Sequence, residues 1–168
     1  HPEIKPIVYF FTGGNKIQGL NDLRNASKLA LFTKTESAFF LAGICLKYEN
    51  KYAEALTITE KLHEKYPRNP DFLLKYTEAL IANNQLYLAN KMNASLCKNT
   101  GLDYQLASAV FAAEITKNEE IALAKLNAAL SLKGEGRYTS DLRSMALLNL
   151  GKIYLDKKDN QKAALYLK

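Results

Sequence analysis

Tryptophan is absent from this chain of 168 residues, proline occurs four times, cysteine twice and glycine eight times. Residues that end helices are therefore few, and they stand at the ends of apolar-periodic segments, which points to an all-helical protein. No apolar run approaches the roughly 18 residues of a membrane span. Cys45 and Cys97 lie inside apolar helical patterns with no metal-ligand spacing, so both are expected in the core, and they do not define a redox compartment. Neither His1 nor His63 has a second histidine at the i,i+4 spacing of a helix-borne metal site, and a surface or half-buried structural place is expected for His63. The net charge of +6 comes from 23 Lys and Arg interleaved with 17 Asp and Glu. Without a block of like charge, this reads as a solvated surface and not as a nucleic-acid patch.

Catalytic signals are equally scarce. Thr12-Gly13-Gly14-Asn15 and Lys133-Gly134-Glu135-Gly136-Arg137 are the only Gly-rich stretches, and neither follows a strand as a phosphate loop requires, so both read as linkers. Glu119-Glu120 is expected to sit at a helix start, where the helix dipole favours carboxylates. The sequons at Asn25 and Asn93 fall within helices. No nucleophile has a base and an orienting third group in a recognisable pattern, so no enzyme, cofactor or metal is expected.

Taken in order, Ile4, Ile7, Val8, Phe10 and Phe11 suit a short helix closed by the Gly-Gly-Asn turn. A second helix is expected from about Lys16 to Leu31, carrying Ile17, Leu20, Leu23 and Leu29. Thr33 or Thr35 is placed to cap the next, with Phe39, Ala42, Gly43 and Leu46, followed by a helix through Ala55 to Leu62 that stops at Tyr66-Pro67. Asp71 is expected to cap the following helix, with a partner through Ala89 that Gly101 closes. Leu102–Thr116 and Ile121–Leu132 form another pair, the segment 133–137 is a hinge candidate, and Tyr138–Asp156 with Asn160 onward makes the last. The small residues Gly19, Ala55, Ala89, Ala122 and Ala163 recur at intervals of 36, 34, 33 and 41, the longest containing the Gly-rich insertion. Small residues are needed where paired helices cross closely.

The Leu150-Gly151 pair, Tyr154 three residues on and Ala163 twelve after the glycine resemble the tetratricopeptide repeat (TPR), a helix-turn-helix unit of about 34 residues. Gly43, Ala55 and Pro67 follow the same pattern. Thr77 and Val110 replace the glycine elsewhere, and no unit has the family's Trp. The resemblance implies an all-α, right-handed superhelical array of antiparallel helix hairpins, a TPR-like α-solenoid with about five hairpins and the last truncated. A single domain over 1–168 would hold units at about 1–33, 34–69, 70–102, 103–137 and 138–168. The chain opens His-Pro and stops at Lys168 in mid-helix, so a fragment of a longer protein is expected. The run from Gly14 to Pro70 also resembles exported TPR proteins of Bacteroidetes-type bacteria, which implies the periplasm or cell envelope, with the cytoplasm as the alternative.

In the family, positions 5, 9 and 12 of each first helix face a concave groove. Here these are Phe40, Ile44 and Lys47; Leu74, Glu78 and Ile81; Ala107, Phe111 and Glu114; and Leu148, Lys152 and Leu155. The resemblance implies a non-catalytic protein–protein interaction scaffold holding a peptide or partner segment in that groove. Two readings of the groove stand: it receives an apolar or amphipathic segment of another protein, or parts of the same chain fill it. Self-association is a further possibility. The alternatives in function are an RNA-binding helical repeat, which the mixed charges and apolar residues of the groove disfavour, and a docking or regulatory region of a larger enzyme. Tyr52, Tyr76 and Tyr154 are expected in the core, and Tyr48, Tyr104 and Tyr138 near turns and exposed.

Overall fold

The computed structural model describes residues 15–167, which form nine α-helices and no strand. They are α1 (Lys16–Leu29), α2 (Lys34–Lys47), α3 (Tyr52–Lys65), α4 (Pro70–Ala82), α5 (Leu86–Leu96), α6 (Leu102–Ile115), α7 (Glu119–Ser131), α8 (Thr139–Asp156) and α9 (Asn160–Tyr166). The helix expected over Ile4–Phe11 and its Gly-Gly turn lie outside the described residues.

Side chains with a short polar reach start several of these helices. Asn15, expected to close the preceding segment, instead caps α1, its Oδ1 accepting from the N–H groups of Ile17 at 3.0 Å and Gln18 at 3.1 Å. Asn69 caps α4 in the same way, with Pro70 in the first turn, where a missing N–H costs nothing. Asp71, expected as that cap, lies two residues further in, within the first turn, and accepts from the Tyr104 hydroxyl at 3.0 Å. Asn118 and Asp159 cap α7 and α9. Thr33 precedes α2 without a side-chain cap bond.

Two helix ends share one turn chemistry. The Gln85 N–H donates to Leu80 O and the Asp159 N–H to Tyr154 O, both at 2.9 Å, closing Schellman turns around Asn84 and Lys158. These two residues have φ of 56° and 61°, and Asn50 after α2 has 52°. Asparagine tolerates this left-handed conformation better than lysine does.

Every helix packs on its neighbours in sequence, and the even-numbered helices also pack on each other, α2 on α4, α4 on α6 and α6 on α8. Odd-numbered helices make no such mutual contact among the described residues. The difference shows in burial. In α4, buried positions wrap most of the circumference (Leu73, Leu74, Tyr76, Thr77, Ala79 and Leu80), whereas α3 buries a stripe of Ala55, Thr59 and Leu62. One core runs through Leu73, Leu106, Phe111, Leu126, Leu142 and Leu150, and a second joins α1–α4 through Leu20, Leu41, Cys45 and Ala55.

Ala55 and Ala89 are fully buried, and Ala122 and Ala163 are 6% and 1% exposed. Gly19 differs: it is exposed, and a Cβ there would meet nothing within 4 Å, because no described element crosses α1 at that point. Segment 133–137 is tied down more than a hinge would be. Arg143 donates to the carbonyls of Leu132 at 2.9 Å and Gly134 at 3.0 Å, and Asp103 accepts from Tyr138 N–H at 3.1 Å and Thr139 Oγ1 at 2.8 Å. A Cβ on Gly136 would stand 2.5 Å from Asp103 Oδ1, so glycine is required by the approach of that carboxylate.

Other expectations are corrected by where helices end. Cys97 is exposed, since α5 stops at Leu96 and leaves it at the C-cap, while Cys45 is buried and its thiol is pushed up to about 11 by burial. Tyr52, at the first position of α3, is 38% exposed rather than in the core. Tyr104 and Tyr138, expected exposed, are half-buried between the starts of α4, α6 and α8.

Replacing Ala55 or Ala89 by Leu is expected to cost on the order of 1–3 kcal/mol by overpacking a filled crossing, read as a lower midpoint in denaturant unfolding. Lys158→Gly is expected to stabilise the chain by roughly 0.5–1 kcal/mol, because glycine adopts the positive φ without strain; an unchanged or lower Tm would contradict this.

Candidate interaction groove

The predicted groove positions all lie on the even-numbered helices, but they divide into open and closed. Phe40, Leu148 and Leu155 are 56%, 45% and 48% exposed, large apolar groups in contact with water. Leu74 at 3%, and Ala107 and Phe111 at zero, belong to the core instead. The cause is the additional row of contacts: α4 and α6 have an even-numbered helix on each side, so the same helical position that is open on α2 and α8 is covered in the middle. Ile44 and Ile81 are half-buried against the core. Three sites proposed from sequence, Leu74, Ala107 and Phe111, are thus inaccessible to a partner.

Three of the four charged positions, Lys47, Glu78 and Glu114, are engaged within the chain. Lys47 Nζ pairs with Asp141 Oδ2 of α8, bringing the second described helix to the eighth across α4 and α6. Bonding to Lys47 holds the Asp141 carboxyl below its ordinary range. With side chains 34% and 60% exposed, this pair contributes roughly 0–1 kcal/mol, so it is a weak tie. Glu78 accepts from the Lys75 ammonium at 2.6 Å, and the Lys75 and Glu78 side chains are only 8% and 15% exposed. Such a pair is costly to break, because the remaining partner would be left as an uncompensated charge away from water.

Glu114, partly buried on α6, accepts from Asn149 Nδ2 of α8 at 2.6 Å. Burial pushes its carboxyl above the ordinary range; the Asn149 bond works in the other direction, and the nearby Glu78 charge adds to the rise. Beside it, a cavity of about 590 Å³ brings together Ile81, Glu114 and Lys152 with Asn149, Ile153 and Asp156. Its lining carries both signs of charge and amide groups, which suits hydrogen bonding to a polar segment.

Lys75, Asp141 and Asn149 were not singled out from the sequence. Lys75 and Glu78 stand three apart on one helix, a spacing that pairs opposite charges and was legible. The partners of Lys47 and Glu114 are 94 and 35 residues away, a distance that only packing closes. His63 is half-buried and stacked on Tyr76 at 5.5 Å between ring centroids, and burial lowers its pKa. No cluster of three His, Cys, Asp or Glu able to hold a metal occurs among the described residues, and no described helix is long and apolar enough to cross a membrane.

A carboxyl that binds its proton more tightly in the folded state favours folding below its unfolded pKa, and that contribution is lost as pH rises through the folded value. Glu114→Gln is therefore expected to raise stability at pH 7 relative to the parent. The gap should close in acid below the ordinary carboxylate range, as measured by urea midpoints across pH. A pH-independent difference would show that burial of the charge is not its cause.

No protein-family model matches this chain, and no curated protein or solved structure matches it.

Proposed function

We propose that the chain is a non-catalytic protein-interaction module, a TPR-like array of helix hairpins whose even-numbered helices present the binding face. The observation that carries this reading is the row of large apolar side chains left open there: Phe40 at one end, Leu148 and Leu155 at the other, on helices otherwise well packed. On α8, Leu148 and Leu155 stand seven residues apart on one helical face, and adjacent exposed apolar groups mark contact surfaces more often than scattered ones do. Between the two ends stand Glu78 and Glu114, and Lys152 lies between Leu148 and Leu155 on α8; these supply hydrogen-bonding and charged groups to fix the register of a bound segment. The reading thus places apolar anchors at the ends of the face and polar specificity in its middle. The repeat architecture is supported by the recurrent small residues, by the two Schellman turns and by the double row of helix contacts.

The test is capture of partner proteins from a lysate of the source organism by the parent chain and by a Phe40→Ser, Leu148→Ser, Leu155→Ser variant. All three positions are exposed, so the variant is expected to fold and to give the parent's helical circular dichroism. The expected result is a partner held by the parent and depleted about tenfold or more on the variant. Equal capture by both would remove this face as the binding site.

A further inference from the structure

A neighbouring face of α2 carries a second surface that the groove does not include. Phe40, Ile44 and Lys47 share one face, and the helical spacing of Lys34, Ala38 and Leu41 puts those residues about a third of a turn around the helix from it. There they meet α1 and α3 in a cavity of about 580 Å³. The cavity exists because α1 and α3 both pack on α2 but not on each other. Their one bridge is Arg24, whose guanidinium donates to both Glu54 oxygens at 2.7 and 2.9 Å. That fork neutralises the only carboxylate among the described lining residues and sets the distance between the two helices.

The lining has two parts. Its floor is apolar, built from Leu41, Ile58 and Leu62. Its rim holds four lysines, Lys28 on α1, Lys34 on α2, and Lys61 and Lys65 on α3. None of the four has an ion-pair partner among the described residues. On α3 the lining residues Glu54, Ile58, Lys61 and Lys65 follow one helical stripe, about 16 Å long at 1.5 Å per residue. This is the length of three helical turns. The cavity among α5, α6 and α7 is different: Asn90, Asn93, Gln105 and Ser108 line it and Lys125 is its single charge. The lysine rim is particular to the α1–α3 cleft.

We infer that this cleft docks an acidic amphipathic helical segment of another protein, with apolar side chains on the Leu41–Ile58–Leu62 floor and carboxylates against the four lysines. Charge complementarity selects the partner's sign, and the apolar floor selects its class. Nucleic acid would satisfy the lysines but leave the floor uncovered, and among the described residues no aromatic ring lines the cleft to stack a base. The site is independent of the even-helix face.

The test uses the full chain and a fluorescein-labelled synthetic peptide of about 14 residues, with Leu at i, i+3, i+4 and i+7 and Glu on both flanks, read by anisotropy. A scrambled peptide of the same composition and an oligouridine RNA serve as competitors. Lys28→Glu with Lys61→Glu changes two exposed residues on opposite walls of the cleft, and circular dichroism checks its fold. Saturable binding that weakens about tenfold or more with scrambling and with the charge reversal, and is retained by the Phe40, Leu148, Leu155 variant, is the expected result. Equal binding of both peptides, no effect of the charge reversal, or preferential displacement by the RNA would overturn the inference. So would a tenfold gain in affinity on changing Ile7 and Phe11 together to Ser, which would make the chain's own N-terminal segment the occupant.

Discussion

The even-numbered helices must be covered on several sides at once, and most of the structure answers to that requirement. A helix such as α4, apolar around most of its girth, cannot be satisfied by one partner; it needs α3 and α5 as well as α2 and α6. The row that results is held in register by polar bonds between successive helix starts. Asp71 of α4 accepts from Tyr104 of α6, and Asp103 of α6 accepts from Tyr138 and Thr139 at the start of α8. Each carboxylate also sits near a helix N-terminus, where the dipole favours its charge. The same bonds explain why the Gly-rich segment 133–137, long and exposed as it is, has a defined path: its end is fastened under Asp103, and Gly136 is the residue that allows the approach.

Close packing of that row decides which of its faces can act. In the middle, Leu74 and Phe111 are consumed by the core, and Lys75 pairs with Glu78 with little of either side chain exposed. At the ends, where α2 and α8 have fewer neighbours, Phe40, Leu148 and Leu155 stay open. The Lys47–Asp141 pair spans the interval between these ends, so any segment lying along the face must run beside it or displace it. Because that pair is exposed and weak, displacement is inexpensive.

The odd-numbered helices make the complementary case. Each uses one stripe for the core and leaves the rest in water, and because they do not pack on each other, the Arg24–Glu54 bridge apart, they leave clefts between them. Whether such a cleft is polar or lysine-rimmed depends on surface residues the core does not constrain. Two faces of the chain are therefore distinguishable by charge and by depth.

The helices themselves were legible residue by residue. Apolar periodicity, scarce proline and glycine, and Asn or Asp at the turns are local signals, and they place α2 to α9 within a few residues, with the small residues Ala55, Ala89, Ala122 and Ala163 in buried positions. Misplaced caps, such as Asp71 for Asn69, arise because several polar residues near a helix start can serve and only the backbone path chooses. The site was legible only as a set of positions. Phe40 and Leu74 are both large apolar residues at the fifth position of first helices, yet one is open and the other buried, because even-numbered neighbours on both sides exist only for the middle helices. Lys47 with Asp141 and Glu114 with Asn149 meet through packing across distant parts of the chain. Periodicity, a property of neighbouring residues, was settled by the sequence; exposure, pairing of remote charges and the α1–α3 cleft depend on which helices touch, and only the tertiary structure decided those.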